Sequence, residues 1–216
     1  MDKARGINIL LETIRSIRNE KYPEVETKLT LFSSLKTTTH PVLFRELCFC
    51  ILTANTSSEM GTRVLAQLTD KDLLELDLKL LNSKLKTLSC RFYNKRSEYI
   101  VLARNVKNLK VELEKYSLST DKRVFLARTV KGIGFKESSH FLRNTGHFDL
   151  AILDKHVKNI LYEHNIISER LRSKSLTESE YLEIENKLAK IAKTLNMTQG
   201  ELDYYLWYMK TKKILK

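Results

Sequence analysis

Two short segments of this 216-residue sequence hold side chains that could do covalent chemistry together. In the first, Gly132 and Gly134 are followed two positions later by Lys136. In the second, Asp154 and His156 follow a short apolar stretch. An unprotonated lysine amine is a nucleophile, and a carboxylate stabilises positive charge that develops on a carbon atom under attack. Lys136 and Asp154 are therefore candidates for covalent catalysis.

The segment 124–142 predicts two helices that reverse direction within a few residues. Helical apolar patterns end at the glycines and begin again directly after them. Glycine tolerates positive φ in such a hairpin and leaves backbone N–H groups uncovered, and the start of the second helix attracts phosphate. We expect Ile133 to pack between the two helices, and Gly132 and Gly134 to bind a DNA phosphate.

Each of these features also has an ordinary structural explanation when it stands alone. Gly-x-Gly closes many helix turns, most lysines are solvated charges, and an aspartate that begins a helix is usually only its cap. Lys136, however, is predicted in the first turn of its helix, where the macrodipole disfavours a protonated amine. The combination of the hairpin, Lys136 and Asp154 is what favours catalysis.

The composition favours an all-α fold. With six glycines and two prolines, the chain has little material for the many turns of an all-β fold. Apolar stripes at helical spacing lie before and after Pro23, and the segment 42–55 is apolar on nearly all sides, which predicts a central buried helix. Further helices are predicted at 58–68, 70–80, 94–109 and 120–130.

Two capping boxes predict helix starts near the C-terminus. They pair Thr177 with Glu180 and Thr198 with Glu201. The second of these helices contains Trp207, which we expect to pack in the core beside its apolar neighbours unless another observation assigns it a function.

The charge distribution indicates a polyanionic partner. The formal net charge is +12, and between Lys84 and Lys131 there are 13 Lys and Arg residues against four acids, a local charge of 13 − 4 = +9. Such a cluster neutralises phosphates. No apolar run reaches the roughly 18 residues of a membrane span, and the N-terminus lacks a signal-peptide pattern, so we expect an intracellular protein of the cytoplasm or nucleoid without membrane contact.

The cysteine content excludes one class of cofactor. Three cysteines, Cys48, Cys50 and Cys90, cannot supply the four thiolates that hold an iron-sulfur cluster. We expect them to be packing thiols in a reducing compartment.

Taken together, the motifs resemble the helix-hairpin-helix DNA glycosylases that also act as lyases, and most closely the 8-oxoguanine DNA glycosylases of archaea and thermophilic bacteria. The resemblance rests on "FCILTAN", "KGIGFKESSHFLRNTG", "DLAILDKHV" and "LDYYLWYMKTKKILK", and extends from about residue 41 to the last residue. It implies two helical lobes with the active site in the cleft between them. It also implies that Lys136 attacks the sugar C1′ and forms a Schiff base, followed by β-elimination, and that Asp154 stabilises the oxocarbenium-like charge.

The resemblance further implies which residues recognise the DNA. Phe92 and Trp207 would stack on the extruded purine, and the terminal carboxylate of Lys216 would accept hydrogen bonds from its edge. Asn55 would lie near the orphaned opposite base, and His156 would bind a phosphate or only hydrogen-bond locally. The family also often holds a monovalent cation on hairpin carbonyls, here those of Arg128, Val130 and Ile133.

Three segments are expected: N-terminal helices (1–38) that pack with the C-terminal lobe, a middle six-helix barrel ending in the hairpin (39–136), and the C-terminal lobe (137–216). The predicted enzyme excises 8-oxoguanine from double-stranded DNA as a monomer and requires no cofactor. Three alternatives stay open: a non-catalytic helix-hairpin-helix module, a glycosylase of the same fold for another base, and a basic helical scaffold.

Overall fold

The computed structural model describes residues 3–214, and these form helices joined by short loops. Two compact units divide the chain. Unit 1 combines the N-terminal residues up to Phe32 with the C-terminal residues from His147 onward, and unit 2 comprises Ser33–Gly146. The all-α prediction is confirmed. The bounds predicted for the three segments stay a prediction.

Unit 2 is built around one buried helix. Its helices are a 3₁₀ turn at Leu35–Thr37, α2 (His40–Thr53), α3 (Ser58–Leu65), α4 (Asp70–Glu75), α5 (Leu78–Thr87), α6 (Tyr93–Ala103), α7 (Leu109–Glu114), α8 (Ser119–Thr129) and α9 (Phe135–Asn144). Helix α2 packs against α3, α4, α6, α7 and α9, as its all-round apolar sequence predicts. It ends at Thr53, so Asn55 lies in the turn beyond it.

The helix predicted at 70–80 is wrong, since two helices occupy this segment. Helix α4 ends at Glu75, and the Asp77 carboxylate accepts a hydrogen bond from the Leu80 N–H at 2.8 Å, which makes Asp77 the N-cap of α5. Aspartate is among the preferred N-cap residues, and a new helix start inside the apolar pattern interrupts the longer helix.

Unit 1 contains α1 (Lys3–Ser34, up to Phe32), α10 (Lys155–Glu163), α11 (Glu169–Ser173), α12 (Glu178–Thr194) and α13 (Gln199–Thr211). Helix α1 continues through Pro23, although proline removes one helical hydrogen bond. Its apolar residues before and after the proline, such as Ile14 and Val25, are fully buried, and this burial offsets the local loss.

The two capping boxes differ. At Thr177 both reciprocal hydrogen bonds with Glu180 form, as predicted. Thr198 caps α13 by accepting from the Glu201 N–H at 3.1 Å, but the Glu201 carboxylate pairs with Arg18 at 3.0 Å instead of reaching back. A tertiary ion pair within unit 1 thus replaces half of the second box. Within residues 3–214, no helix is long and apolar enough to cross a bilayer.

Candidate active site

The hairpin between α8 and α9 requires glycine at Gly132. Its φ of +92° lies in the region that L-residues avoid, and a Cβ atom built there would lie 2.1 Å from the Tyr99 ring. Ile133 is buried, as expected for a residue between the two helices. Gly132 therefore has a structural explanation that needs no ligand.

Gly134 differs from Gly132, since it does not use the positive φ that glycine tolerates in such a hairpin. Its backbone is extended (φ −111°, ψ −162°), a conformation open to any residue. A Cβ atom there would meet only the Glu137 carboxylate, 3.9 Å away. The protein itself thus does not require glycine at this exposed position.

Lys136 lies in the first turn of α9, as predicted, and its amine is partly buried. Its Nζ lies 3.3 Å from Oε1 of Glu137, while Oε2 of Glu137 accepts a 3.4 Å hydrogen bond from the Gly134 N–H. Sequence reasoning missed Glu137, although glutamate three residues after an N-cap is the signal of a capping box. Lys136 and the Gly134 backbone N–H thus share one carboxylate, that of Glu137.

Asp154 is the N-cap of α10, as predicted. Its Oδ1 accepts a hydrogen bond from the Val157 N–H at 2.8 Å. Its Oδ2 accepts one from the Trp207 indole Nε1–H at 3.3 Å. Both carboxylate oxygens are therefore oriented, one by the backbone of α10 and the other by a side chain of α13.

The extended segment that leads to Asp154 is fixed by α12. The Tyr181 hydroxyl donates to the Ala151 carbonyl (2.8 Å) and accepts from the Leu153 N–H (3.3 Å). The Glu185 carboxylate accepts from the Ala151 N–H at 2.8 Å. These buried side chains satisfy backbone groups that have no helix partner, and they hold the segment before Asp154 in place. Sequence reasoning missed the contacts of Tyr181 and Glu185 with this segment.

His156 lies beside Trp207. Their ring centroids are 6.0 Å apart and the rings meet edge to face at 75°. The indole is only partly buried, since the core is filled by its neighbours on α13, such as Tyr205 and Leu206. Unit 1 thus brings together Asp154, His156 and Trp207. Lys216 lies outside the described residues.

Phe92 and Asn55 are both exposed residues of unit 2 with positive φ, 59° and 57° respectively. The Phe92 ring is half exposed (50%), and the Arg91 guanidinium carbon lies 4.6 Å from its centroid. In the part of the chain that the structure describes, the Asn55 amide forms no hydrogen bond, so this side chain does not cap α2. Both residues stand where a ligand has access to them.

The basic cluster between Lys84 and Lys131 places less positive charge on the surface than its 13 Lys and Arg residues would suggest. Arg96, Lys122 and Arg123 are buried within unit 2. Lys122 donates to backbone carbonyls, and burial lowers the pKa of its amine. The exposed members, such as Lys131, remain available to phosphates even where they pair with a carboxylate at the surface, because such pairs are weak.

Two sets of groups could in principle hold a metal ion or a cation: the cysteines and the hairpin carbonyls. Among residues 3–214, Cys48, Cys50 and Cys90 are all buried and form no disulfide, and no cluster of three or more His, Cys, Asp or Glu side chains is placed to hold a metal. Burial raises the pKa of the Cys48 thiol. Arg128 and Val130 lie at the C-terminal end of α8, where carbonyls carry partial negative charge, and the cation predicted there stays a prediction.

Comparison with known proteins agrees with this geometry. The sequence model of the 8-oxoguanine DNA glycosylase family matches residues 25–197. The chain belongs to this family. The 8-oxoguanine DNA glycosylase/AP lyase of Methanocaldococcus jannaschii is 44% identical over 209 residues, which cover 96% of this chain and 100% of the relative.

Solved structures of family members share the fold. A crystal structure of the M. jannaschii glycosylase/lyase in complex with a 15mer DNA containing 8-oxoguanine has a TM-score of 0.92 and 44% identity, covering 96% of this chain and 100% of that one. The 8-oxoguanine DNA glycosylase of Thermotoga maritima has a TM-score of 0.91 and 40% identity, covering 97% and 100%. The predicted helix-hairpin-helix glycosylase fold is therefore confirmed.

Proposed function

We propose that this protein is a bifunctional DNA glycosylase and AP lyase that excises 8-oxoguanine from double-stranded DNA in base excision repair. The observation that supports it most is the hairpin. In a member of this family, a glycine that the fold does not require is followed by a lysine in the first turn of a helix. The assignment of 8-oxoguanine as substrate is supported by relatives that are 8-oxoguanine DNA glycosylase/AP lyases and that align with nearly the whole chain.

In the first step, the free amine of Lys136 attacks C1′ of the extruded nucleotide. The bond between C1′ and N9 of the base breaks, and the base leaves with the electron pair. Asp154 belongs to unit 1 and Lys136 to unit 2, and the proposal is that they act on the same sugar. The carboxylate is suited to stabilise positive charge on the sugar because two N–H groups already hold its oxygens in place.

In the second step, the sugar ring opens. The C1′–O4′ bond breaks, the nitrogen loses a proton, and an imine forms between Nζ and C1′. The proton from the nitrogen goes to O4′, which becomes a hydroxyl. Removal of a proton from C2′ then breaks the C3′–O bond and expels the 3′ phosphate, which cuts the strand. Water hydrolyses the imine and returns the lysine. The chain supplies the amine and the carboxylate, and the proposal includes no cofactor.

Base and backbone recognition use the exposed residues of the site. Phe92 and Trp207 stack on the purine, an interaction of about 1–3 kcal/mol per base. Gly134 and the hairpin approach a phosphate, and Asn55 approaches the opposite base. His156, which lies beside Trp207, binds a phosphate or only hydrogen-bonds locally. The carboxylate of Lys216 stays a predicted acceptor. We further propose that the enzyme acts as a monomer on nucleoid DNA inside the cell.

The test uses duplexes that carry 8-oxoguanine, uracil or an abasic site, with and without borohydride. Wild type is expected to cut and to be trapped on 8-oxoguanine and abasic duplexes. Lys136→Gln is expected to bind the duplexes but neither cut nor be trapped, whereas Lys131→Gln, a change in the same hairpin, keeps trapping. A trapped Lys136→Gln adduct would contradict the assignment, and a wild type that binds without cutting would favour the non-catalytic module.

A further inference from the structure

Arg96 is a buried cation of unit 2 whose partners lie in the turn after α2, in the first turn of α3 and in the loop before α6. Only 3% of its surface is exposed. Its Nη2 donates to the Ala54 carbonyl and to the Thr56 hydroxyl, each at 2.9 Å. Its Nη1 contacts the Cys90 sulfur at 3.5 Å and the Met60 sulfur at 3.7 Å. Within the described residues, no carboxylate pairs with it.

These contacts are made to the neighbours of Asn55 and Phe92, the two exposed residues that we propose to meet bases. Ala54 and Thr56 flank Asn55, so the guanidinium holds both sides of that turn. Cys90 precedes the Phe92 loop, and the Arg96 guanidinium carbon lies 5.8 Å from the centroid of the Phe92 ring. One guanidinium therefore joins the turn after α2 to the loop before α6.

The backbone at both positions needs such support. Phe92 begins α6 with φ +59° and no side-chain cap, and positive φ is uncommon for an aromatic residue. The N–H of Arg96 donates to the Phe92 carbonyl at 3.1 Å, so Arg96 also closes the first turn of α6. Residues in sparsely populated backbone regions persist when their surroundings hold them, and they concentrate at functional sites.

We propose that Arg96 is a positioning residue that holds Phe92, and with it the turn at Asn55, in the orientation that meets an extruded base. The inference rests on the proposed function, because it assigns Arg96 to the base-recognition step of that reaction. Arg96 touches neither the sugar nor Lys136 in this account. Its loss should therefore affect removal of the base far more than cleavage at a site from which the base is already absent.

The readout is the ratio of two single-turnover rates, base excision from an 8-oxoguanine duplex over strand cleavage at a preformed abasic site. Arg96→Met keeps the length of the side chain and removes its donors. It is expected to lower the ratio about tenfold or more, the size of a lost stacking interaction. Arg96→Lys restores one donor and should recover part of the ratio.

Arg45→Met is the matched control. Arg45 also holds backbone carbonyls within unit 2, those of Leu65 (2.7 Å) and Leu68 (2.9 Å), but it lies outside the basic cluster and contacts neither loop. It should leave the ratio unchanged. Thermal unfolding of each variant shows whether it folds, and if Arg96→Met does not, the ratio for Arg96→Lys decides.

A second arm tests whether Arg96 acts through Phe92. In a Phe92→Leu background, Arg96→Met should lower the ratio less than it does in the wild-type background, because the aromatic ring is already gone and only the turn at Asn55 is left to be positioned. An unchanged ratio in Arg96→Met, or an equal further loss in the double variant, would overturn the proposal. A wild type that cleaves abasic sites but leaves 8-oxoguanine would instead overturn the proposed substrate and is a separate result.

Discussion

The hairpin around Lys136 and the start of α10 around Asp154 hold their functional groups in different ways. The fold needs neither the Lys136 side chain nor a glycine at position 134. Lys136 forms an ion pair with its neighbour Glu137, and a Cβ atom at Gly134 would meet only the Glu137 carboxylate. Asp154, in contrast, caps a helix and also accepts from Trp207. Activity and stability should therefore separate in the hairpin and overlap at Asp154.

The largest effect on activity is expected for substitutions of Asp154. Asp154→Asn keeps a side-chain oxygen for the Val157 N–H but loses the acceptor for the Trp207 indole, so the melting temperature should fall only by what that one hydrogen bond contributes. It removes the negative charge, and single-turnover excision should fall about 10²–10³-fold. Asp154→Ala should lose the same activity and about 1 kcal/mol of stability as well. Equal activity in Asp154→Asn and wild type would remove the charge from the mechanism.

The two hairpin glycines should respond differently to substitution by alanine. Gly132→Ala should cost about 1–2 kcal/mol in the free energy of unfolding, because the positive φ disfavours a Cβ atom and Tyr99 occupies its place. Gly134→Ala should leave stability within about 0.5 kcal/mol of wild type and weaken binding to a duplex several-fold. Chemical denaturation and salt-controlled binding titrations measure the two effects. Unaltered DNA affinity in Gly134→Ala would contradict close approach by a phosphate.

This pair also shows what the sequence alone could predict. Glycine spacing and apolar periodicity predicted α8, α9 and the buried Ile133, because these depend on local geometry. They could not separate the roles of Gly132 and Gly134, since only the folded position of Tyr99 distinguishes them. The contacts of Glu185 with Ala151 and of Arg96 with Ala54 join residues distant in sequence, which no local pattern reveals.

A smaller effect is expected when the hydrogen bond between Trp207 and Asp154 is removed. Trp207→Phe keeps an aromatic face but loses the indole N–H, which orients one carboxylate oxygen. Excision and abasic-site cleavage should both fall, by about tenfold, since a hydrogen bond to a charged group contributes about 1.5–3 kcal/mol. Phe92→Leu should lower excision alone. A loss confined to excision in Trp207→Phe would mean that the indole only stacks on the base.

The smallest effect is expected on removal of divalent metal ions. The proposed reaction draws its nucleophile from the hairpin and its stabilising charge from α10, so excision after treatment with EDTA should equal that of the untreated enzyme. Restoration with Mg²⁺ is the control. A loss of activity that Mg²⁺ reverses would show that the hairpin around Lys136 and the start of α10 around Asp154 cannot catalyse excision without a metal.

The most direct test of the account is to locate the covalent bond to DNA. Wild-type enzyme is trapped on an 8-oxoguanine duplex with borohydride, digested with nuclease and protease, and the modified peptide is sequenced by mass spectrometry. If Lys136 is the nucleophile, the sugar remnant will be found on its Nζ. A remnant on Lys131 or on any other residue, in enzyme that is trapped efficiently, would contradict this assignment.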